Sequence, residues 1–576
     1  MRRLFTPGRI GGVEIGNRIV MPAMTTRLAD AEGFVTPATL AWFGARAAGG
    51  AGLVTVEMAA PEKAGRHRRH ELGIYDDRFL PGLARLVERL HAEGARASIQ
   101  LGHGGGHTRL DVSGEVPIAP SAIPHRVFEA TDAWVVPLAM TQERIEAAIA
   151  AHVSAARRAL AAGFDMVELH ACHGYLISQF LNCFENRRRD AYGGSLENRA
   201  RFLLEMLRRL RREAPQLPVI VRLGAEDFFP GGLVLEEAVR VARWAAAAGA
   251  AAVHVSAGHY RSLPSAERMI PPMAYPQATF LAQAARIRSE IDVPVIAAGR
   301  LGDPQLAEAA LVAEKADFVA LGRPLVADPQ WPARVAAGEP VRRCIACNTC
   351  VDGMRGGASI HCLVNPWAGR EPSLPPRSPL TGERICVIGA GPAGLSYAAA
   401  VAGGNSVTVL ERARQAGGAL RLAGKAPMFQ EVRADSRPLL AYVAALVERC
   451  RSEGVTIRFG ADPLSEPHTL AQFDRIVVAT GARYPAGTGA LVHLALDSGL
   501  GRFAPLTKLF SNHALRRWFY YRARRPNGSG SAARLPAGPV VEIIGDAARP
   551  GRAIEAIEGA VRAALDPIPP RQTPSY

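Results

Sequence analysis

The feature that most constrains the fold is a series of eight short apolar segments, rich in β-branched residues, with helical segments between them. Residues 143–163 and 236–249 are two of these helical segments, because they carry apolar residues at helical spacing. Continuous apolar strands that alternate with helices indicate a parallel sheet covered on its outer face. Eight such units predict a (β/α)8 barrel, and a doubly wound open sheet is the competing architecture. The predicted strands are RIVMPAM (18–24), GLVTVE (52–57), RASIQL (96–101), DMVELH (165–170), PVIVRL (218–223), AVHVS (252–256), PVIAAG (294–299) and DFVALG (317–322).

A barrel of this kind carries its functional groups at the carboxyl ends of the strands and binds phosphate after strands seven and eight. GRLGD (299–303) follows strand seven and GRPL (322–325) follows strand eight. Glycine lets backbone amides approach an anion and arginine adds charge, so the two Gly-Arg pairs predict a phosphate site. Other polar residues near the strand ends are Thr25, Glu57, Gln100, His170, His173, Arg222, His254, Ser256 and His259.

Four of the eight cysteines fall in one short stretch, at Cys344, Cys347, Cys350 and Cys362. Structural zinc sites usually have two well-separated C-x2-C pairs. Three closely spaced thiolates with a distant fourth are instead typical of a cubane iron–sulfur cluster. The spacing therefore predicts a 4Fe–4S cluster, with structural zinc as the alternative.

A proline-rich linker at 371–383 leads into a second, different sequence pattern. Gly389, Gly391 and Gly394 follow an apolar strand and open an alanine-rich helix, and Glu411 stands about 20 residues further on. Small residues let a pyrophosphate reach the helix N-terminus, and Glu411 can bind a ribose. This half of the chain is therefore predicted to bind an ADP-containing ligand.

The first 370 residues resemble the old yellow enzyme class of FMN barrels. The resemblance is specifically to the long members with an iron–sulfur cluster, 2,4-dienoyl-CoA reductase and trimethylamine dehydrogenase. It is carried by residues 4–26, 49–57, 98–106, 162–182, 186–202, 295–301 and 319–331. One departure is Gly106, which stands where the family pattern QLxHxGR has arginine, so no role is carried over to this position.

The resemblance implies FMN in the mouth of the barrel. Backbone of Pro22, Ala23 and Met24 would lie along the flavin, with Thr25 near its N5/O4 edge. The rest of the implied FMN set is Glu57, Gln100 and Arg222, with Gly299, Arg300, Gly322 and Arg323 at the phosphate.

The motif HACHGYL carries the catalytic group that the resemblance implies. His170 and His173 would donate hydrogen bonds to a substrate carbonyl, which stabilises enolate charge while the flavin delivers hydride. Tyr175 matches the proton donor of the reductases, and His259 is a candidate helper.

The resemblance also divides the chain. We expect an FMN barrel at 1–335, a cluster segment and linker at 336–375, and a dinucleotide-binding domain at 376–482 and 540–576. The dinucleotide would be FAD or ADP, with Asp546 near the flavin ribitol or its equivalent. Long reductases have a complete NAD(P)H domain between these last two segments. Residues 483–539 are too few for one and form a basic, partly flexible insert.

Two functions follow from the resemblance, and a non-catalytic electron-carrier subunit is a third reading. The first function is an FMN/4Fe–4S ene-reductase acting on an α,β-unsaturated carbonyl or thioester, with NAD(P)H as a reductant. The second is an amine dehydrogenase or N-demethylase that passes electrons to an electron-transferring flavoprotein. Two residues argue against the amine dehydrogenase. His170 stands where trimethylamine dehydrogenase has tyrosine, and Met58 stands where that enzyme has an aromatic wall for a cationic amine.

The net charge of +15 does not predict nucleic-acid binding, because the basic residues are almost all arginine and no nucleic-acid motif accompanies them. The N-terminus lacks an apolar export segment, and no apolar run is long enough to span a membrane. We therefore expect a cytoplasmic homo-oligomer that acts on a small molecule and exchanges electrons with a protein partner or with NAD(P)H.

Overall fold

The computed structural model describes the chain except for residues 1, 127–133, 426–427, 430–431, 434, 485–487, 501–502, 504, 506–507, 510–511 and 568–576. The predicted segments 376–482, 483–539 and 540–576 thus lie partly outside the described residues. The chain forms two compact units. The first comprises Met1–Cys344 and Cys350–His361, and the second comprises Ile345–Thr349 and Cys362–Tyr576. Within the described ranges, no helix has the length and apolar character needed to cross a membrane.

Eight parallel strands close into a barrel in the first unit, which confirms the barrel prediction. Each strand pairs with the next along the chain, and the eighth closes on the first with Val319 opposite Ile19. The first strand ends at Met21 because Pro22 has no N–H to continue the ladder. The strands are β1 (Ile19–Met21), β2 (Leu53–Ala59), β3 (Arg96–Leu101), β4 (Met166–Ala171), β5 (Val219–Gly224), β6 (Ala252–Ser256), β7 (Val295–Ala297) and β8 (Phe318–Ala320).

Helices between successive strands cover the barrel. Hydroxyl side chains begin three of them: Thr36, Thr141 and Ser195 each accept a hydrogen bond from the backbone N–H three residues on. The covering helices are Pro37–Ala48, Leu80–Ala92, Gln142–Ala161, Leu196–Glu213, Leu235–Ala248, Leu281–Arg288, Pro304–Val312 and Trp331–Ala337. Shorter helices are Leu110–Ser113, Leu176–Leu181, Leu263–Met269, Gly322–Ala327 and Thr349–Arg355.

The amino-terminal end of the barrel is filled by apolar side chains. A two-stranded hairpin, Gly8–Ile10 with Val13–Ile15, contributes Ile10 and Ile15 to this core. Strand residues such as Leu53, Ile220 and Phe318 complete it, and all are fully buried. Because this end is packed solid, the polar residues at the opposite ends of the strands are the ones that can meet a ligand. Two further strand pairs in this unit are Ile118–Ala119 with Leu138–Ala139, and His125–Arg126 with Trp134–Val135.

The second unit is built on a five-stranded parallel sheet. Its strand order is β11-β10-β9-β12-β13, the order of a Rossmann half with two further strands. The strands are β9 (Arg384–Ile388), β10 (Ser406–Glu411), β11 (Thr456–Phe459), β12 (Arg475–Val478) and β13 (Val540–Ile543). The larger helices are Pro392–Val401, Ser436–Ser452 and Ala553–Leu565. Smaller elements are helices Leu420–Ala423, Thr488–Asp497, His513–Tyr521 and Gly528–Ala532, and the strand pairs Met428–Phe429 with Val432–Arg433 and Ala482–Arg483 with Arg525–Pro526.

Candidate active site

A row of hydrogen-bonded polar residues crosses the barrel at the level of the strand ends. Gln100 Nε2 donates to Glu168 Oε1 at 2.7 Å, and Glu168 Oε2 lies 2.7 Å from His254 Nδ1. Burial alone would raise the pKa of Glu168, but His254 and Arg222 lower it, so this carboxylate is charged. Arg222 Nη1 donates to the backbone oxygen of Ala23 at 3.0 Å, while its buried Nε has no partner among the described residues. A buried donor left in this way fits the polar edge of a bound cofactor.

The loop after β1 is fixed from behind by Glu57. Thr26 donates to this carboxyl through its backbone N–H at 2.7 Å and through its hydroxyl at 2.5 Å. Burial raises the pKa of Glu57 to about 7. The sequence grouped Glu57 with the cofactor-binding residues, and the structure gives it Thr26 as its direct partner. Glu57 therefore acts on Pro22–Thr25 by holding the loop that carries them.

The two Gly-Arg pairs after β7 and β8 meet on one loop. Arg300 Nη1 donates to the backbone oxygen of Pro272 at 3.1 Å, and Arg323 Nη2 donates to that of Pro271 at 2.8 Å. Gly299 has φ +100°, and a Cβ there would lie 2.7 Å from the ring of Phe280. These glycines bring backbone close to its neighbours, as a phosphate-binding turn requires. A Cβ on Gly322 would lie 3.0 Å from Met24 Sδ.

His170 and His173 present two perpendicular imidazoles at the end of β4. Their ring centroids are 5.3 Å apart, and His173 adopts φ +65°. His173 Nε2 lies 2.7 Å from the hydroxyl of Ser256. Burial lowers the pKa of each imidazole well below its ordinary value. His173 and then Arg222 lower the pKa of His170 further, and Arg222 lowers that of His173. At neutral pH both rings are therefore uncharged hydrogen-bonding groups.

Cys172 lies beside this pair, with its Sγ 3.4 Å from His170 Nδ1. Together His170, Cys172 and His173 bring three potential metal-ligand atoms within 4.8 Å of one another. Burial raises the pKa of Cys172 far above its ordinary value, so the thiol stays protonated. Because His170 Nδ1 lies against the Cys172 thiol and His173 Nε2 against the Ser256 hydroxyl, we assign this face of the site to hydrogen bonding.

Tyr175 is hydrogen-bonded by a histidine that the sequence analysis did not single out. The hydroxyl of Tyr175 lies 3.1 Å from His67 Nε2, and His67 Nδ1 lies 3.0 Å from Glu71 Oε1. Glu71 Oε2 also accepts the backbone N–H groups of His67 and Arg68. All of these side chains are buried. Burial and the neighbouring Tyr260 raise the pKa of Tyr175 well above its ordinary value, so the phenol stays protonated.

A second phenol, Tyr260, lies against Tyr175 and faces two arginines. The two tyrosine ring centroids are 5.9 Å apart. Arg68 donates to the hydroxyl of Tyr260 at 3.2 Å and to that of Thr25 at 3.1 Å, and Arg355 Cζ lies 5.6 Å from the centre of the Tyr260 ring. Burial alone would raise the pKa of Tyr260, but Arg68 and Arg355 lower it below its ordinary value. This side of the site thus carries positive charge.

His259, the candidate helper of Tyr175, is held in a different group. Its Nε2 lies 3.2 Å from Glu185 Oε2, and its Nδ1 accepts the backbone N–H of Arg261 at 3.0 Å. His125 approaches the other oxygen of the same glutamate, at 3.4 Å. A Cβ added to Gly106 would overlap the ring of His125. The departure at Gly106 thus has a steric reason, because His125 fills the space next to this residue.

The residues that the sequence analysis missed come mainly from one loop, RHRRHE at 66–71. Three consecutive residues there, Arg66 to Arg68, are buried together with Glu71. Buried charged groups need partners, and a run of this kind directly after a barrel strand was the available signal.

The glycine motif of the second unit adopts the close-packed form that a dinucleotide fold needs. Gly389 has φ +112°, and a Cβ there would lie 2.5 Å from the backbone oxygen of Ala479. Gly391 directly precedes the helix Pro392–Val401, and Gly394 packs against the backbone of Gly389. Glu411 accepts the backbone N–H of Ala390 at 2.8 Å, which holds its carboxylate beside the glycine turn.

Asp546 is engaged by an arginine from the predicted insert. Arg524 Nη1 lies 2.6 Å from Asp546 Oδ2, and Gly551 donates its backbone N–H to Oδ1 at 3.1 Å. Both side chains of this ion pair are largely buried. The carboxylate predicted to meet a flavin ribitol is thus already paired.

The four clustered cysteines are divided between the units. Cys344 and Cys350 belong to the first unit, and Cys347 and Cys362 belong to the second. None of the eight cysteines, all within the described ranges, is joined in a disulfide. Ala346 and Asn348 both have positive φ, so the chain turns tightly between the second cysteine and its neighbours.

Both halves of the chain match known protein families. The profile of the NADH:flavin oxidoreductase / NADH oxidase family matches residues 3–341, and that of an NAD(P)-binding Rossmann-like domain matches residues 387–435. "NADH oxidase" of Thermoanaerobacter brockii is 36% identical over 83% of this chain and 73% of its own length. "Metal reductase" of Desulforamulus reducens is 38% identical over 87% and 75%. "Cinnamate reductase" of Clostridium sporogenes is 32% identical over 83% and 74%.

Solved structures share the architecture of the whole chain. A 2-naphthoyl-CoA reductase complex superposes with a TM-score of 0.84 at 23% identity, over 98% of this chain and 99% of that one. Histamine dehydrogenase from Rhizobium sp. 4-9 superposes with a TM-score of 0.82 at 22% identity, over 100% and 98%. At these identities the likeness concerns the fold.

Proposed function

Because this chain belongs to the NADH:flavin oxidoreductase / NADH oxidase family, we propose that it is an ene-reductase acting on an α,β-unsaturated carbonyl compound or thioester. The match covers more than half of the chain and makes it a flavin-dependent oxidoreductase with FMN. The relative named cinnamate reductase supports an activated alkene as the substrate class.

We propose that Pro22, Ala23, Met24 and Thr25 line the flavin, with Gln100 and Arg222 at its pyrimidine edge. The orphaned Nε of Arg222 supports this assignment. The phosphate would lie at Gly299, Arg300, Gly322 and Arg323. When bound, FMN supplies the hydride that the alkene accepts, and NAD(P)H is the proposed source of electrons.

The chain's own side chains would orient the substrate and handle its proton. His170 and His173 donate neutral N–H groups to the carbonyl oxygen, and these hydrogen bonds strengthen as negative charge develops there. The phenol of Tyr175 donates a proton to the substrate carbon. His259 is assigned a supporting position behind the site, because its nearest charged partner is Glu185.

The observation that carries this proposal is the sign of the charge beside the two phenols. Arg68 and Arg355 both act on Tyr260, and Glu71, the carboxylate that acts on Arg68, is hydrogen-bonded to His67. Positive charge stabilises an enolate-like transition state and opposes a cationic substrate.

The amine dehydrogenase alternative would place a cation in this same space. Recognition of a cationic amine needs aromatic faces or carboxylates. Here Met58 packs with Tyr175, Tyr260 and Met269 in one buried cluster, and two arginines adjoin the phenols. The two tyrosines offer aromatic faces, but the positive charge of the arginines opposes a cation in this space and therefore favours the alkene.

We further propose that Cys344, Cys347, Cys350 and Cys362 hold a 4Fe–4S cluster, since four thiols at this spacing are the donor set of a cubane. Gly389, Gly391, Gly394 and Glu411 would bind the ADP part of a dinucleotide. The pairing of Asp546 with Arg524 favours ADP over FAD at this position. A cytoplasmic homo-oligomer, with a protein electron partner in addition to NAD(P)H, is part of the same proposal.

An anaerobic reduction experiment tests the function. We expect NADH or NADPH to bleach the flavin rapidly, and an enone or cinnamate to restore its absorbance. Secondary and tertiary amines should leave the oxidised spectrum unchanged; bleaching by an amine would overturn the proposal. In the double variant H170A/H173A, we expect enone turnover to be lost and FMN to be retained.

A further inference from the structure

The buried row Glu71–His67–Tyr175 ends at the phenol that the proposed function makes the proton donor. Two consecutive hydrogen-bond distances, 3.0 Å and 3.1 Å, connect Glu71 to the hydroxyl of Tyr175 through the two nitrogens of one imidazole. The charged carboxylate of Glu71 can only accept, so His67 Nδ1 must carry a proton. The two backbone N–H groups donated to Glu71 Oε2 fix the carboxylate in place.

We propose that His67 is a positioning residue that supplies a proton to Tyr175 during alkene reduction, and that Glu71 holds His67 for this role. The inference rests on the proposed function, because it uses Tyr175 as the donor to the substrate. It concerns residues in a loop that neither the sequence motifs nor the family resemblance singled out.

Addition of hydride to one alkene carbon would leave an enolate, with reduced FMN as the hydride source. The electron pair of this enolate forms the C–H bond at the other alkene carbon as the O–H bond of Tyr175 breaks. The phenolate oxygen then takes the proton from Nε2 of protonated His67, which becomes neutral with Nδ1–H still donated to Glu71. His67 regains its proton from solvent between turnovers.

The arrangement gives the reaction a pH dependence with a definite sign. The titratable and charged groups around His67 are Glu71, Tyr175, Arg68 and Arg27. His170 also interacts with His67, which contributes to the lowered pKa of His170. Burial, with Arg68 and Arg27, lowers the pKa of His67 below its ordinary value despite Glu71. The protonated form is therefore lost as pH rises towards neutrality, and the proton-transfer step should slow over the same range.

The test measures the two half-reactions separately by anaerobic stopped-flow spectroscopy of the holoenzyme. In H67Q the amide can still hydrogen-bond Tyr175 but cannot carry a proton. We expect reoxidation of the reduced flavin by an enone to slow at least about tenfold, and its decline with rising pH to disappear. Reduction by NAD(P)H should keep its rate. H91Q is the matched control, because His91 forms a similar pair with Asp165 at the surface.

A double-mutant comparison shows whether His67 supplies a proton to Tyr175 or has a purely structural role. If His67 acts through Tyr175, H67Q/Y175F should reoxidise no more slowly than Y175F alone. Equal slowing of both backgrounds, or a wild-type pH profile in H67Q, would overturn the proposal.

A readout without turnover keeps this inference distinct from the proposed function. In protein labelled with ¹⁵N-histidine, the resonances absent from H67Q belong to His67. We expect Nδ1 to be the protonated nitrogen, and the midpoint of the titration to fall further in E71Q and to shift in Y175F. A titration unaffected by both substitutions would refute the relay, whereas a coupled titration in an enzyme that reduces no alkene would refute only the proposed function.

Discussion

At the residue scale, His170 and His173 are neutral imidazoles in the candidate site, and arginine side chains carry its positive charge. Neutral imidazoles donate to a carbonyl without the cost of burying two more charges. Arg68 is the key charged residue because it reaches both Thr25, at the predicted flavin edge, and Tyr260.

We expect Arg68→Met to raise the pKa of Tyr260 and to slow enone turnover about tenfold or more, since the substitution removes a positive charge next to the phenol. Tyrosinate absorbance, compared with that of Tyr260→Phe, measures the titration. Arg78→Met is the control, because Arg78 also lies over aromatic rings but is exposed. An unchanged Tyr260 titration would contradict the assigned role of Arg68.

Gly106 offers a second prediction at this scale. Gly106→Arg restores the family residue but forces a side chain against the buried ring of His125, so we expect it to lower the free energy of unfolding by about 1–3 kcal/mol. His125→Ala opens this space, so the double variant G106R/H125A should be more stable than the sum of the two single losses. Denaturant titration measures all four proteins, and simple additivity would show that His125 is not the obstacle.

The sequence indicated candidate site residues that lie on strands, but it did not indicate those that lie on loops. Gln100, His170 and Arg222 sit on β3, β4 and β5, and the barrel topology alone puts such residues at one rim. His67 and Arg68 come from a loop, where no periodic pattern shows which side chains turn inward. Their positions depend on backbone such as His70, with φ +59°, which only the folded structure reveals.

At the scale of elements, the presence of each barrel strand was easier to predict than its first and last residues. All eight barrel strands form where the apolar segments indicate, but β7 covers only Val295–Ala297 of the predicted 294–299. The apolar pattern continues beyond the hydrogen-bonded ladder because Ala298, directly after β7, is half-buried and still packs against the barrel core. Hydrophobic periodicity reports burial, and the ladder ends where the chain turns towards the site.

The sheet of the second unit contains a buried ion pair that joins two of its strands. Arg475 on β12 is fully buried and contacts Glu542 on β13 as well as Glu383. We expect Arg475→Met to destabilise this sheet by about 3–5 kcal/mol, because it leaves the buried carboxylate of Glu542 without its cation. Hydrogen exchange of peptides from β12 and β13 in increasing urea measures the effect.

A matched control for this prediction lies on the neighbouring strand β9. Arg384 pairs with Asp474 through two nitrogens, but both side chains are exposed. Arg384→Met should therefore cost no more than about 1 kcal/mol. If both variants lose the same small amount, then the buried pair contributes no more than the exposed one.

At the scale of the whole molecule, the residues that we propose for the alkene and for FMN all lie in the first unit, and those proposed for a dinucleotide lie in the second. The four clustered cysteines, which we propose as ligands of a metal cluster, are not among these residues.

The proposed cluster should therefore be separable from the proposed flavin site. We expect Cys362→Ser to lower iron and acid-labile sulfide in anaerobically purified protein to a small fraction of the wild-type content, because cubane clusters require thiolate ligands. FMN should remain bound, since none of its proposed ligands is changed, and reoxidation of the photoreduced flavin by an enone should keep its rate. Cys450→Ser is the control, because this buried thiol of the same unit lies outside the clustered stretch. Wild-type protein without iron and sulfide would refute the cluster itself, and loss of FMN together with iron would show that the two sites are not independent.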